Sequence, residues 1–139
     1  MGLRAINHIE RVLDGRAAPS AFAQEVIEAC GGNRDAVQVW LGSATQTTFA
    51  SLAPIVVAHA ATDATARAIL ADAGLEVAAI ARALDPSGEL PLALCGGLGV
   101  PLRAYLPPEL LARSVAPHGD AASGALRMIE LHVQKDLQQ

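Results

Sequence analysis

The chain has 139 residues, enough for a domain with a sizeable core; 52% of them are hydrophobic, but aromatic residues make up only 3%. Its net charge of −4 and the absence of a basic run argue against nucleic acid or an anionic membrane surface as a partner. No segment has the apolar length of a membrane span, and no signal-peptide hydrophobic region follows Met1, so we expect a cytoplasmic protein.

Cysteine and histidine usage predicts neither a disulfide nor a metal site. Cys30 falls at a predicted helix end and Cys95 in a predicted buried strand, so the two cysteines are far apart in sequence. We expect both to be reduced thiols that pack as small hydrophobic side chains, as in a cytosolic protein. The four histidines lack the paired spacing of zinc ligands.

The first half of the chain is predicted to be helical, because apolar residues recur at helical spacing between capping residues and glycines. These predicted helices cover residues 3–13, 21–30, 34–41 and 49–60. The hydroxyl groups of residues 42–48 are expected to cap the helix that follows, although they could also bind a ligand. Pro54 should bend or interrupt that helix.

The longest predicted helix, residues 64–84, follows the capping residue Asp63. Its apolar side chains recur at steps of three and four residues and form one stripe. The stripe consists of Ala66, Ile69, Leu70, Ala73, Val77, Ile80, Ala81 and Leu84. Gly74 costs this helix about 1 kcal/mol relative to alanine and could mark a close helix contact.

A short apolar run, residues 90–94, leads to Gly96 and Gly97. It is too short for an ordinary helix and apolar at successive positions, which predicts a strand covered on both faces, as in a parallel sheet. Ligands of open α/β sheets bind outside the carboxyl ends of strands, so the glycine pair is a candidate binding turn. A plain turn between a strand and a loop would explain the same glycines.

The elements after the glycines are predicted to be short. Residues 100–106 are expected to be irregular or extended, and a helix over 109–112 follows Pro108, which suits a first helical turn. Residues 114–117 fit a short strand. One or two strands cannot satisfy their backbone hydrogen bonds alone, so we expect further strands from elsewhere or from a partner.

The last predicted helix covers residues 121–133 and is capped by Asp120. Its first turn, residues 121–125, consists of small residues that would let another backbone or a flat ligand approach closely. The polar tail over 134–139 is expected to fray.

Two patterns together carry a family resemblance: the run Leu92-Ala93-Leu94-Cys95-Gly96-Gly97 and the later Pro117-His118-Gly119-Asp120-Ala121-Ala122-Ser123-Gly124-Ala125-Leu126. Over nearly its whole length the chain resembles the C-terminal half of the BadF/BadG/BcrA/BcrD-type ATPase family, and within it the N-acetylglucosamine and glucosamine kinases. The resemblance implies an α/β, ribonuclease H-like fold of the actin/hexokinase type, with two lobes around a nucleotide cleft. Residues 1–139 would be a mostly helical part of the C-terminal lobe with one or two strands.

The resemblance also implies the chemistry and the partners. The intact enzyme would use ATP and magnesium to phosphorylate an amino sugar, and the N-terminal lobe would be the partner of this chain, with a homodimer also possible. Gly96 and Gly97 would contact the adenosine, and Ala60 is a weaker candidate for the pocket wall. The phosphate-binding loop, catalytic aspartate and substrate motifs of the family have no counterpart here, so we expect no catalytic residue and no catalysis by this chain alone.

Two alternatives remain at this point. A reductase-activating ATPase of the same superfamily would carry an iron–sulfur cluster, which needs clustered thiolates. A helical interaction domain without enzymatic activity could use the stripe of the longest helix as a dimer surface.

Overall fold

The computed structural model describes residues 1–136, which contain nine helices and two short strands. In chain order these are α1 (Gly2–Leu13), α2 (Ala21–Ala29), α3 (Arg34–Ser43), α4 (Gln46–Ala50), α5 (Ala53–His59), α6 (Ala64–Leu84), β1 (Leu92–Ala93), α7 (Gly99–Arg103), α8 (Pro108–Ala112), β2 (Ser114–Val115) and α9 (Ala121–Asp136). The chain divides into two compact units, an N-terminal unit (Met1–Glu76) and a C-terminal unit (Val77–Gln139). Within residues 1–136, no helix combines the length and apolarity needed to cross a bilayer.

Phe22 lies at the centre of the N-terminal unit, where α1, α2 and α5 pack together. Its ring is fully buried and lies 5.9 Å from the rings of both His8 and His59. His59 Nε2 is 2.6 Å from a carboxylate oxygen of Glu25, so its polar edge is satisfied at the rim of the core. The predicted apolar face of the first helix is confirmed for Ile6 and Ile9, which are buried beside these elements.

A second aromatic contact joins α3 and α4 in this unit. The rings of Trp40 and Phe49 meet edge to face, with their centroids 5.5 Å apart. Trp40 is the single tryptophan of the sequence.

Helix capping follows the sequence closely. The side chains of Ser20 and Asn33 accept hydrogen bonds from backbone amides in the first turns of α2 and α3, at 3.2 and 3.0 Å. Thr45 and Thr48 form a reciprocal capping box at the start of α4. The expectation that hydroxyl groups of residues 42–48 cap the next helix is therefore confirmed.

The helix predicted over residues 49–60 is two helices, which corrects its boundaries. Because Thr45 caps the backbone, α4 already begins at Gln46 and ends at Ala50. Pro54 lies in the first turn of α5, where its missing amide hydrogen costs no helical hydrogen bond. Pro54 therefore lies at the start of a new helix, which agrees with the prediction that it interrupts the helix.

A parallel two-stranded sheet lies in the C-terminal unit, with Leu92 opposite Ser114 and Ala93 opposite Val115. Leu92 packs against a small core of Ala78, Ala81 and Leu110, whereas Ala93 is exposed. Both predicted strands are therefore present, but the prediction that the first is covered on both faces is wrong. Cys95 is consequently exposed and not buried.

The prediction that residues 100–106 are irregular or extended is also corrected, because α7 extends through Arg103. Pro101 fits the first turn of this helix, and Leu102 and Leu106, one turn apart, are both buried. Burial of this pair favours a helix over the extended chain that the prolines and glycines suggested.

The predicted stripe of α6 is only partly buried. Ala66, Ile69 and Leu70 are buried as expected, but Ile80 and Leu84 are 60% and 80% exposed. In the C-terminal unit Ala81 of the stripe is buried as expected, and it packs with Leu110 of α8 together with Ala78, which the predicted stripe does not include. Gly74 is buried within the helix.

Helix α9 begins as predicted, with Asp120 Oδ1 accepting a 2.8 Å hydrogen bond from the backbone amide of Ser123. It continues through Asp136, past the predicted end at Val133. Of the tail predicted to fray, residues 137–139 lie outside the described residues.

The close approach of α1 to α4 gives a stability prediction. A methyl group at Gly2 would overlap the carbonyl oxygen of Phe49, which is backbone and cannot yield. Gly2→Ala should therefore destabilise the chain by about 1–3 kcal/mol, as overpacking does. Chemical denaturation followed by tryptophan fluorescence measures this loss.

Gly42→Ala is the matched control, because Gly42 also lies in a helix but a methyl group there meets nothing within 4 Å. It should stabilise the chain by about 0.5–1 kcal/mol. Equal effects of the two substitutions would contradict the close contact between Gly2 and Phe49.

Candidate functional site

A groove of about 460 Å³ lies on one face of the two-stranded sheet in the C-terminal unit. Its lining comes from β1 and its continuation, the segment after β2, and the first turns of α9. The lining residues are Pro91, Ala93, Cys95, Val115, Ala116, Pro117, His118, Gly119, Asp120, Ser123, Gly124 and Arg127. Because the strands are parallel, the segments that leave their carboxyl ends meet here, which is where open α/β sheets bind ligands.

The period of two along a strand explains the floor of this groove. Pro91, Ala93 and Cys95 alternate with Leu92 and Leu94, so the first set faces the groove and Leu92 packs into the core. The floor is therefore small and apolar. It suits a flat, largely apolar ligand group more than a strongly hydrated one.

Polar groups stand at the α9 side of the groove. Asp120 caps the helix. The pKa of the Asp120 carboxyl group is lowered mainly by a hydrogen bond from the backbone amide of Ser123 and next by one from the Ser123 side chain. That carboxylate is engaged by the helix start and is poorly suited to act as a general base. Arg127 and Gly124 also line the groove, and a methyl group at Gly124 would meet nothing within 4 Å.

The two glycines predicted to bind a ligand directly follow Cys95, but neither Gly96 nor Gly97 is itself a lining residue of the groove. Gly96 has a φ of +84°, which a side chain would strain, and its carbonyl accepts a 3.0 Å hydrogen bond from the amide of Gly99. Gly97 does not have a positive φ, and a methyl group on it would meet nothing within 4 Å. The turn therefore requires glycine at 96, whereas its own packing does not require glycine at 97.

Ala60 lies in the N-terminal unit, at the carboxyl end of α5. It is 5% exposed, and its carbonyl oxygen accepts a 3.1 Å hydrogen bond from Nε of Arg67. Its assignment to a pocket wall stays a prediction.

Sequence reasoning missed several lining positions, including Pro91, Val115 and Arg127. The alternation of residues 91, 93 and 95 could have indicated the first of them once the strand was predicted. The small residues in the first turn of α9 predict close approach of a ligand or a backbone, and Ser123 and Gly124 of this segment do line the groove.

An ion pair between Asp85 and Arg113 holds the beginnings of both strands. The two side chains are 11% and 15% exposed. The same arginine donates a 2.9 Å hydrogen bond to the carbonyl of Leu90, and the amide of Leu90 donates a 3.0 Å bond to the aspartate. The backbone carbonyl of Arg113 in turn accepts from the amide of Leu92 at 3.0 Å.

This arrangement lowers the pKa of Asp85. The largest cause is the hydrogen bond from the hydroxyl of Ser87. Burial acts in the opposite direction and raises the pKa, but the amide of Leu90 and the guanidinium of Arg113 lower it further. The ionised carboxylate is therefore the form that holds the strands together.

The thiols differ in their surroundings. Burial raises the pKa of Cys30, whereas Cys95 is exposed in the groove. Within residues 1–136, no three side chains of histidine, cysteine, aspartate or glutamate are grouped so that they could hold a metal ion.

Replacing Asp85 by asparagine should make the stability of the fold change less with pH in the acidic range. The depressed pKa means that the ionised carboxylate stabilises the fold above its ordinary pKa of 3.8, and that this stabilisation is lost as the pH falls through the lower value of the folded state. Asp85→Asn should therefore lower the melting temperature at neutral pH, and the difference from the unaltered chain should shrink in acid. A melting-temperature difference that stays constant from neutral pH to pH 3 would contradict this account.

Thiol labelling tests the placement of the cysteines. A reagent such as dithionitrobenzoate should modify Cys95 rapidly in the folded chain and reach Cys30 only after unfolding, since only thiolates at accessible positions react. Cys95→Ser should abolish the rapid phase and Cys30→Ala should leave it in place. Rapid labelling of Cys30 and slow labelling of Cys95 would contradict the exposed sheet face and favour a strand covered on both faces.

Comparisons with known proteins add to this geometry. No protein-family model and no curated protein matches the chain. Among solved structures, the chain is similar to a "putative N-acetylglucosamine kinase" from Chromobacterium violaceum, with 50% sequence identity and a TM-score of 0.84.

That match covers 90% of this chain and 44% of the Chromobacterium violaceum chain, so the present sequence spans less than half of that protein's length. The mostly helical architecture with a small sheet corresponds to part of that kinase structure. The chain is thus related to N-acetylglucosamine kinase-like proteins, as its two sequence patterns predicted.

Proposed function

We propose that this chain is the nucleotide-side part of an ATP-dependent hexosamine kinase. The observation that carries the proposal is the similarity, at 50% identity over 90% of the chain, to a protein described as an N-acetylglucosamine kinase. The amino sugar would be N-acetylglucosamine or glucosamine. The rest of the enzyme would supply the catalytic aspartate, the phosphate-binding loop and the sugar site.

The turn at Gly96 and Gly97 would approach the adenosine. It lies at the carboxyl end of β1, and the open space beside Gly97 would admit a ligand close to the backbone. Cys95, which precedes the turn, lines the groove, and the small apolar floor there would suit a nucleoside better than phosphates.

Magnesium would bind mainly to the phosphates and to the rest of the enzyme. No suitable cluster of ligands exists among residues 1–136, and hard divalent cations need several oxygen donors. Phosphoryl transfer depends on positioning phosphates, metal and acceptor, so this chain would bind nucleotide without catalysing the reaction alone.

The nucleotide role predicts the effect of a valine at position 97. Gly97→Val should weaken ADP binding, measured by calorimetry, by at least about tenfold, because the side chain would occupy space proposed for the adenosine while leaving the turn unstrained. ADP should also slow the labelling of Cys95 in the unaltered chain. Gly96 is a poor test position, because its positive φ makes any side chain disruptive.

Gly42→Ala serves as the control, because it lies in the N-terminal unit and should leave ADP binding unchanged. Calorimetry should be repeated with ATP, and with the remainder of the enzyme present. A folded chain that binds neither nucleotide in any of these settings would contradict the proposal and favour a helical interaction domain.

A further inference from the structure

Two residues outside the groove connect the segments that form its walls. Asp85 follows α6 and Arg113 follows α8, and their side chains form a part-buried ion pair. Neither of them lines the groove. Each nevertheless lies shortly before a strand that leads into the lining, because β1 continues to Cys95 and β2 continues to Ala116. We call Asp85 and Arg113 the strand anchor.

The strand anchor holds both backbone polar groups of Leu90. The amide of Leu90 donates to the Asp85 carboxylate at 3.0 Å, and its carbonyl accepts from the Arg113 guanidinium at 2.9 Å. The backbone carbonyl of the same arginine accepts from the amide of Leu92 at 3.0 Å, which begins the parallel pairing. The anchor thus fixes where β1 starts relative to β2.

The sheet has little else to determine its register. The two strands pair over two residues each, and a pairing this short has few hydrogen bonds. A slip by one residue would turn Pro91, Ala93 and Cys95 away from the groove. A slip by two residues would move the end of β1 by about 7 Å relative to the segment after β2, at the usual rise per residue of a strand.

The glycine turn is attached closely to the end of β1. The carbonyl of Gly96 accepts a 3.0 Å hydrogen bond from the amide of Gly99. A methyl group at Gly99 would lie only 3.1 Å from the carbonyl oxygen of Leu94, so the backbone folds back tightly on the residue that follows the strand. A compact turn of this kind takes its position from the strand to which it is joined.

A second ion pair joins the same two helices and differs in burial. Arg82 of α6 and Glu109 of α8 are 2.5 Å apart, with side chains that are 55% and 58% exposed. Their hydrogen bond connects one helix to the other and not to a strand. Exposed pairs contribute little to stability, so this pair is a natural control for the strand anchor.

We propose that Asp85 and Arg113 are positioning residues of the nucleotide site. By fixing the register of β1 against β2, they place the turn at Gly96 and Gly97 relative to the segment that follows β2. The inference rests on the proposed function, which assigns the adenosine to this turn. Neither residue touches the nucleotide, and both act through the backbone of the strand.

Amide chemical shifts test the positioning without any nucleotide. In the folded chain, Asp85→Asn should move the amide resonances of Leu90, Gly96 and Gly97, because the displacement of the strand start reaches the turn. Arg82→Gln is the matched control and should leave both glycine resonances in place, since it breaks only the exposed pair. Movement confined to Leu90 would overturn the positioning role.

The same variants test the effect on nucleotide binding. Asp85→Asn should weaken ADP binding, measured by calorimetry, at least about fivefold, because small displacements of a binding site are costly. Arg82→Gln should leave the affinity unchanged.

A milder variant covers the case in which Asp85→Asn does not fold. Ser87→Ala removes one 2.7 Å hydrogen bond from the Asp85 carboxylate and leaves the ion pair in place. It should move the resonances of Gly96 and Gly97 and weaken ADP binding in the same direction as Asp85→Asn, but less. Unchanged resonances and affinity in a folded Ser87→Ala variant would then overturn the proposal.

An apolar replacement of the strand anchor separates positioning from stability. Asp85→Leu combined with Arg113→Met leaves no unpaired charge, so this variant should melt at a higher temperature than Asp85→Asn. It still lacks the side-chain bonds to Leu90, so its ADP affinity should be no higher than that of Asp85→Asn. An affinity that recovers together with the melting temperature would show that the pair supports only the stability of the fold.

The positioning role and the kinase function fail in different ways. If the unaltered chain binds no ADP, alone or with the remainder of the enzyme, the proposed function is contradicted, and the resonances of Gly96 and Gly97 decide whether the anchor positions the turn. If ADP binds equally well to Asp85→Asn and to the unaltered chain, the positioning role is overturned and the proposed function stands.

Discussion

The candidate site depends on one part-buried ion pair. Asp85 and Arg113 are separated widely in sequence, yet together they hold the backbone of Leu90 and, through the carbonyl of Arg113, that of Leu92. A pairing of two residues per strand has few hydrogen bonds of its own, so its register depends on this anchor. Removing one partner would leave the other charge with little solvent, which is why such pairs are costly to break.

Local features of the fold could be predicted from the sequence, and long-range ones could not. The caps at Ser20, Asn33 and Asp120 depend on a side chain and an amide within one turn, so neighbouring residues determine them. The exposure of Cys95 depends on which segments cover the sheet, and the residues next to Cys95 in the sequence do not predict those segments. The helix at Gly99–Arg103 was missed because burial of Leu102 outweighed the glycine and proline signals.

The same distinction applies to the candidate site. The turn at Gly96 was predictable, because a glycine pair after an apolar run indicates a break whatever the tertiary structure. The opposite wall, from Val115 to Arg127, comes from a different part of the sequence and joins the site only through the parallel pairing with β1. Register between distant strands is set by tertiary packing, so the groove could not be delimited from the sequence.

Because Trp40, whose ring meets Phe49 edge to face, and Tyr105 lie in different units, each unit can be followed by itself by spectroscopy. The single tryptophan lies in the N-terminal unit, and the single tyrosine, Tyr105, lies in the C-terminal unit. Indole fluorescence excited at its red edge therefore reports on the first unit, and ultraviolet absorbance of the phenol adds a signal from the second. Unlabelled protein can thus reveal whether the two units melt as one cooperative block or in succession.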